Sequence, residues 1–388
     1  MRGVSRRRAL LGLGGAVTLG GRVRVAFADA PTRARLVVVL LRGALDGMGA
    51  VIPYGDPALM GLRGAIVPRP VGQPEGMLDL GGFYGLHPAL GGLHGMYRAG
   101  EALAVHAVGG PSRSRSHFDA QDCLECGADH RLDSGWLNRA VAAVPGPRPA
   151  AGLALSVGVA TPLLLRGPGR LAAWAPGAMG APPADFYARV AALHQADALT
   201  GPAIDAALAE RAAVRAAGPG GGGFAGIART AGRLLAADDG PRVAALELGG
   251  WDTHAAQKNR LGAALGQLDA GLVGLREGLG AAWARSAVLV ITEFGRTAHV
   301  NGTAGTDHGT ATVAFIAGGA VAGGRVGGTW PGLARAQLWE GRDLAPTADV
   351  RGLAKGLLVA HLGVPAAAMA AIFPGAEAVA PAAGLLRV

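Results

Sequence analysis

Three short stretches of the chain are apolar at almost every position, and each runs directly into acids or imidazoles. Leu36-Val-Val-Val-Leu-Leu41 leads to Asp46, Val243-Ala-Ala-Leu-Glu-Leu248 leads to Asp252 and His254, and Ala287-Val-Leu-Val-Ile291 leads to Glu293 and Arg296. Apolar runs of this length without alternation read as strands buried on both faces, as in a parallel sheet covered by helices. Leu103-Ala-Val-His-Ala-Val108 and Thr312-Val-Ala-Phe-Ile-Ala-Gly318 read as two further strands, with Asp307 and His308 just before the second. Between 255 and 283, Leu261, Leu265, Leu268, Leu272, Leu275 and Leu279 recur at helical spacing. A long helix is therefore expected there, the crossover of a βαβ unit. Shorter helices are expected at 87–98, 117–127, 224–237 and 347–362, and loops over 58–85. Pro-rich pieces and Ala-rich helical stretches alternate over 141–241, which reads as an insertion or cap on the main sheet. The expected architecture is one α/β domain over 29–388. It is a three-layer α/β/α, doubly wound, mostly parallel sheet with a helical or loop insertion at about 141–241.

Open α/β sheets take their ligands just beyond the carboxyl ends of the strands. Asp46, Asp252, His254, Glu293, Asp307 and His308 are therefore expected to meet at one rim of the sheet. Mixed carboxylate and imidazole sets hold divalent cations, zinc and manganese among them. Two ions ~3.5–4 Å apart would clamp an in-line displacement at phosphorus or sulfur. Arg296 would then hold the anionic oxygens of the substrate, because a guanidinium fork matches them. Taken singly, each residue reads equally well as a cap or turn residue, and Asp252-Thr-His would cap the long helix from 255. Ser116 has the same two readings. With Asp119 three residues on, it matches a capping box; at a helix amino terminus it also stands where backbone N–H groups attract anions and a nucleophile would be placed.

Composition changes this picture little. Half the residues are hydrophobic and 16% are charged, which excludes a disordered chain. The formal charge is +9, but residues 1–28 carry six arginines and no acid, and without them it falls to +3. A charge that small predicts no nucleic-acid partner. Ser5-Arg6-Arg7-Arg8-Ala9-Leu10, a short apolar stretch and Ala26-Phe27-Ala28 read as a twin-arginine signal peptide over 1–28 with its cleavage site. A partnership with the twin-arginine export machinery and a periplasmic or extracellular location follow as expectations. No apolar run reaches the ~18 residues of a spanning helix, so no transmembrane segment is expected in the mature chain. Cys123 and Cys126 have C-x-x-C spacing within a helix, without the second pair of a zinc ribbon or the βαβ context of a redox dithiol. They read as a structural disulfide or as spectator thiols.

Five segments in order resemble the family of exported bacterial proteins called domain of unknown function 1501. They are Leu41-Arg-Gly-Ala-Leu-Asp-Gly47, Arg115-Ser-His-Phe-Asp-Ala-Gln121, Leu248-Gly-Gly-Trp-Asp-Thr-His254, Thr292-Glu-Phe-Gly-Arg-Thr297 and Gly305-Thr-Asp-His-Gly309. That family is similar to a branch of the alkaline phosphatase and sulfatase superfamily. The resemblance implies an alkaline-phosphatase-like fold with Asp46, Asp252, His254, Glu293 and His308 as metal ligands and Ser116 at the nucleophile position. The C-x-P-S-R and S-x-P-S-R motifs of formylglycine sulfatases are absent. The expected function is an exported, metal-dependent hydrolase of phosphate or sulfate esters acting on a small anionic ester. The alternative is a non-catalytic periplasmic binding or assembly protein that keeps the fold.

Overall fold

Alternate residues of the first strand, β1 (Arg35–Leu41), enter different cores: Val37, Val39 and Leu41 on one face, Leu36, Val38 and Leu40 on the other. Burial on both faces is why the run carries no polar alternation. β1 lies at the middle of the central sheet of the computed structural model, which describes residues 33–146, 152–175 and 222–387 and the single positions 193, 194, 197 and 204. The leader expected at 1–28 lies outside the described residues.

The central sheet is built from β1, β5 (Ala102–Gly109), β6 (Ala154–Val157), β7 (Leu171–Trp174), β8 (Val243–Leu248), β9 (Ser286–Thr292), β10 (Thr312–Ala317), β11 (Arg325–Gly327) and β12 (Ala348–Asp349). Their order is β11-β5-β10-β9-β1-β8-β6-β7, with β12 also paired to β5. β1 pairs in parallel with β8 and β9, and of these strands only β10 runs against the rest. Because β10 is reversed, its amino end lies at the rim that holds the carboxyl ends of β1, β5, β8 and β9. A small second sheet pairs β2 (Val51–Ile52), β4 (Gly85–Leu86) and β3 (Leu78–Asp79).

Helices cover both faces. On one side lie α3 (Gly91–Arg98), α6 (Gly223–Ala236) and α7 (Gln257–Leu279), the last burying the whole leucine stripe from Leu261 to Leu279. On the other lie α4 (His117–Cys126), α5 (Trp136–Ala143), α8 (Val350–Ala360) and α9 (Met369–Ile372). The three-layer, mostly parallel α/β architecture is thus the one expected. α6 and α7 approach closely because glycine lines the contact: a Cβ on Gly278 would stand 2.1 Å from the Arg229 carbonyl oxygen. Truncating one of the fully buried β1 leucines, such as Leu40→Ala, would cost about 2–5 kcal/mol.

Two stretches add detail to the expectation. The segment read as an insertion at 141–241 begins and ends in the main fold, since β6 pairs with β8, β7 with β6, and α6 packs on the first face. Its middle, 176–221, lies outside the described residues apart from the four single positions. Residues 58–85, read as loops, supply α2 (Leu59–Arg63) and two strands of the small sheet. Cys123 and Cys126 are free, buried thiols, and burial pushes Cys123 up to about 11. Among the described residues no helix is long and apolar enough to cross a membrane.

Candidate functional site

Four atoms converge at the common rim. Asp252 Oδ1 lies 3.0 Å from His254 Nε2, 3.3 Å from His308 Nε2 and 3.5 Å from His117 Nε2. His254 Nε2 and His308 Nε2 are 3.0 Å apart. Asp252 and His254 follow β8, His308 precedes β10, and His117 opens α4 on the chain leaving β5.

The other nitrogen of each ring meets an acceptor. His308 Nδ1 donates to the Arg115 carbonyl oxygen at 2.8 Å, His117 Nδ1 to Glu293 Oε1 at 2.8 Å, and His254 Nδ1 to Asp307 Oδ1 at 3.2 Å. A carbonyl or an ionised carboxylate only accepts, so each neutral ring carries its hydrogen on Nδ1 and leaves Nε2 bare. The Arg296 guanidinium meets part of this cluster, Nη2 donating to Asp252 Oδ1 at 2.5 Å and Nη1 standing 3.5 Å from His254 Nε2, whereas His117 Nε2 faces Asp252 without such a donor. The His117 Nε2, buried and without a hydrogen-bond partner, shows the arrangement most plainly.

The spacing also fits a cation. A tetrahedral zinc site with bonds of about 2.0–2.1 Å has edges of about 3.3–3.4 Å. One ligand atom from each of His117, Asp252 and His308 lies within 4.8 Å of the others, and His254 Nε2 stands 3.0 Å from Asp252 Oδ1 and from His308 Nε2. Rings oriented from behind by carboxylate or carbonyl partners are the usual support of metal-binding histidines.

Charges around the cluster are shifted accordingly. Burial alone would push the Asp252 carboxyl up, but the hydrogen bond from Arg296 and the nearby positive groups outweigh it and hold it low. Glu293 is likewise held low against its burial by hydrogen bonds from His117 and Gln121. His117 is raised, chiefly by its bond to Glu293, whereas burial lowers His308. Asp307 is lowered, first by the hydrogen bond from Asn301.

Of the residues singled out in the sequence, Asp252, His254 and His308 stand in the cluster. Glu293 does not: Oε1 accepts from Gly43 N, His117 and Gln121, and Oε2 lies 2.8 Å from the Thr292 hydroxyl. Oε1 is fully engaged, and through it Glu293 orients His117. Asp307 stands behind His254 in the same way, steadied by Asn301 Nδ2 at 3.0 Å. Asp46 lies apart, paired with Arg63 in the interior at 0% exposure.

Arg296 corrects the anion-holding expectation. Buried at 0% exposure, it donates to the carbonyls of Ala44, Gly43, Trp251 and Thr306 and to Asp252 Oδ1. These acceptors belong to the loops after β1 and β8 and before β10, and with Nη1 also 3.5 Å from His254 Nε2 the guanidinium gathers the rim and faces the protein's own groups. Ala44, Ala256 and Ala304 in the same loops have positive φ (69°, 47° and 54°), a strain that such gathering maintains.

Ser116 occupies the N-cap position of α4, yet its hydroxyl makes no capping bond. It sits between Arg115 and His117, both in contact with the cluster. Asp252 does not cap the long helix either, which starts at Gln257 after Ala256. His117 is not among the ligands expected from the sequence. The signal was available: applied to β5, the rule that strand ends carry the ligands leads to the start of α4.

Residues 99–358 match the family described as protein of unknown function, DUF1501. The chain belongs to this family. The matched span holds His117, Asp252, His254 and His308 and leaves out Asp46. No curated protein sequence matches. Among solved structures, the zinc complex of the C-terminal periplasmic domain of EcEptC from Escherichia coli aligns over 75% of this chain and 74% of its own, at 8% identity and a TM-score of 0.35. Ps i-CgsB in complex with k-i-k-neocarrahexaose aligns over 86% and 73%, at 12% identity and a TM-score of 0.31. Likenesses this distant carry no functional argument.

Proposed function

We propose that this DUF1501 protein is an exported, metal-dependent hydrolase of phosphate or sulfate esters, with His117, Asp252, His254 and His308 holding a divalent cation such as zinc or manganese. The observation that carries the reading is the convergence of the His117, His254 and His308 Nε2 atoms on Asp252 Oδ1. A bound divalent ion supplies Lewis-acid polarisation of an ester oxygen. The protein's own part is to fix the four donors, through Glu293, Asp307 and the Arg115 carbonyl behind the rings and Arg296 behind Asp252. Ser116 is the candidate nucleophile. Its hydroxyl is uncommitted, and it stands at the amino end of α4, where free backbone N–H groups favour an anion.

A second reading, a binding or assembly protein with a structural ion, is favoured by two observations among the described residues. Arg296 is spent on the protein's own acceptors, and no base is hydrogen-bonded to the Ser116 hydroxyl. The test is a panel of aryl phosphate, phosphodiester and aryl sulfate substrates, run on ion-loaded protein, chelated protein and the variants Ser116→Ala and His308→Ala. Turnover that needs both the ion and Ser116 supports the hydrolase. Ion binding with no turnover on any ester supports the second reading.

A further inference from the structure

Asp46 closes the loop after β1, where the resemblance drawn from the sequence would place a carboxylate for a pair of ions. Its surroundings argue otherwise. Arg63 Nη1 donates to Oδ1 at 2.9 Å and Nη2 to Oδ2 at 2.8 Å, a fork-on-fork pair between side chains exposed by 1% and 0%. Gln257 Nε2 donates to Oδ2 as well, while Gln257 Oε1 accepts from the Thr253 and Thr306 hydroxyls. Thr253 lies between Asp252 and His254, and Thr306 precedes Asp307, so this closed network underlies both loops of the cluster.

The geometry points to a site for one ion, in which the Arg63 guanidinium neutralises the carboxylate that a second ion would need. The inference rests on the metal reading above. A second dication at Asp46 would have to expel the guanidinium, stranding a buried positive side chain beside a new double charge; burial makes that repulsion strong. Arg63 has no alternative partner there, since its Nε is buried without one and both terminal nitrogens bond Asp46. α2 thus delivers a fixed cation, and hydrolysis at this rim proceeds without the two-ion clamp. The ester oxygen opposite the ion must then be served by protein groups.

Metal stoichiometry tests this without any turnover assay. Full-length processed protein is loaded with zinc or manganese, freed of excess by dialysis, and assayed for metal against protein concentration. One ion per chain is expected in the wild type and in Asp46→Asn, and none in His308→Ala. Two ions per wild-type chain, falling to one in Asp46→Asn, would overturn the single-ion inference and leave the imidazole cluster standing. Loss of the ion from folded Asp46→Asn, with one ion in the wild type, leaves the count at one, because Asp46 supports both ligand loops through Gln257. No ion in the wild type would remove both this inference and the reading beneath it. The wild-type ratio decides even where Asp46→Asn does not fold.

Discussion

Arg296→Met separates two roles for the same side chain. Were Arg296 a substrate-facing cation, its loss would abolish turnover and leave stability alone. The structure instead gives it four backbone carbonyls and Asp252 to hold, at 0% exposure. Each buried acceptor left without a donor costs about 1–3 kcal/mol. The bond to half-exposed Asp252 adds less, since water screens it. Relaxation and water entry relieve part of the total, so we take the low end: a loss on the order of 5 kcal/mol, against the ~5–15 kcal/mol that holds a typical domain. The assay is urea denaturation followed by tryptophan fluorescence, on protein freed of metal so that ion binding does not offset the change. Arg296→Lys should fall between, because an ammonium keeps the charge but not the planar fork. An Arg296→Met protein with the wild-type midpoint and no turnover would refute the reasoning.

Further outcomes follow from the geometry. The His117 imidazole is raised by Glu293, so in the ion-free protein this pair stabilises the fold fully below the unfolded value of about 6.5 and stops doing so as pH rises through the folded value. Ion uptake has the opposite dependence, because it needs Nε2 bare. Zinc affinity should fall as pH drops through the raised value, and Glu293→Gln should move that fall to lower pH; unchanged titrations would contradict the pairing. Ser116→Ala should leave the denaturation midpoint where it is, since no cap bond is lost, whereas a drop worth about 1 kcal/mol would reveal a cap. Gly305→Ala should weaken zinc binding in calorimetry, because the new Cβ would stand 2.1 Å from the His254 carbonyl oxygen and must push that loop; wild-type affinity would show that the loop gives way elsewhere.

What the sequence disclosed follows from how burial writes itself into a chain. β1, β8 and β9 are covered on both faces, so they appear as nearly unbroken apolar runs, and the leucine stripe of α7 shows its buried face. β6 and β7 are four residues each within a Pro-rich stretch, too short for any period to show. The strand-end rule found the rim and three of its four converging side chains. It could not sort acids by shell: Glu293 and Asp307 have the same chemistry as Asp252, and only the hydrogen bonds behind the rings distinguish them. The pairing of Asp46 is not legible in the sequence, because its partner Arg63 lies in a segment that reads as loop. Arg296 was given a substrate because the sequence does not reveal that four carbonyls surround it.

The central claim is that His117, Asp252, His254 and His308 enclose a cation. Anomalous diffraction from crystals grown with zinc, recorded on both sides of the zinc edge, tests it most directly. A peak is expected about 2.0–2.1 Å from each of the three Nε2 atoms and close to Asp252 Oδ1. Density at Asp46 with Arg63 displaced, or no peak among the three imidazoles, would contradict it.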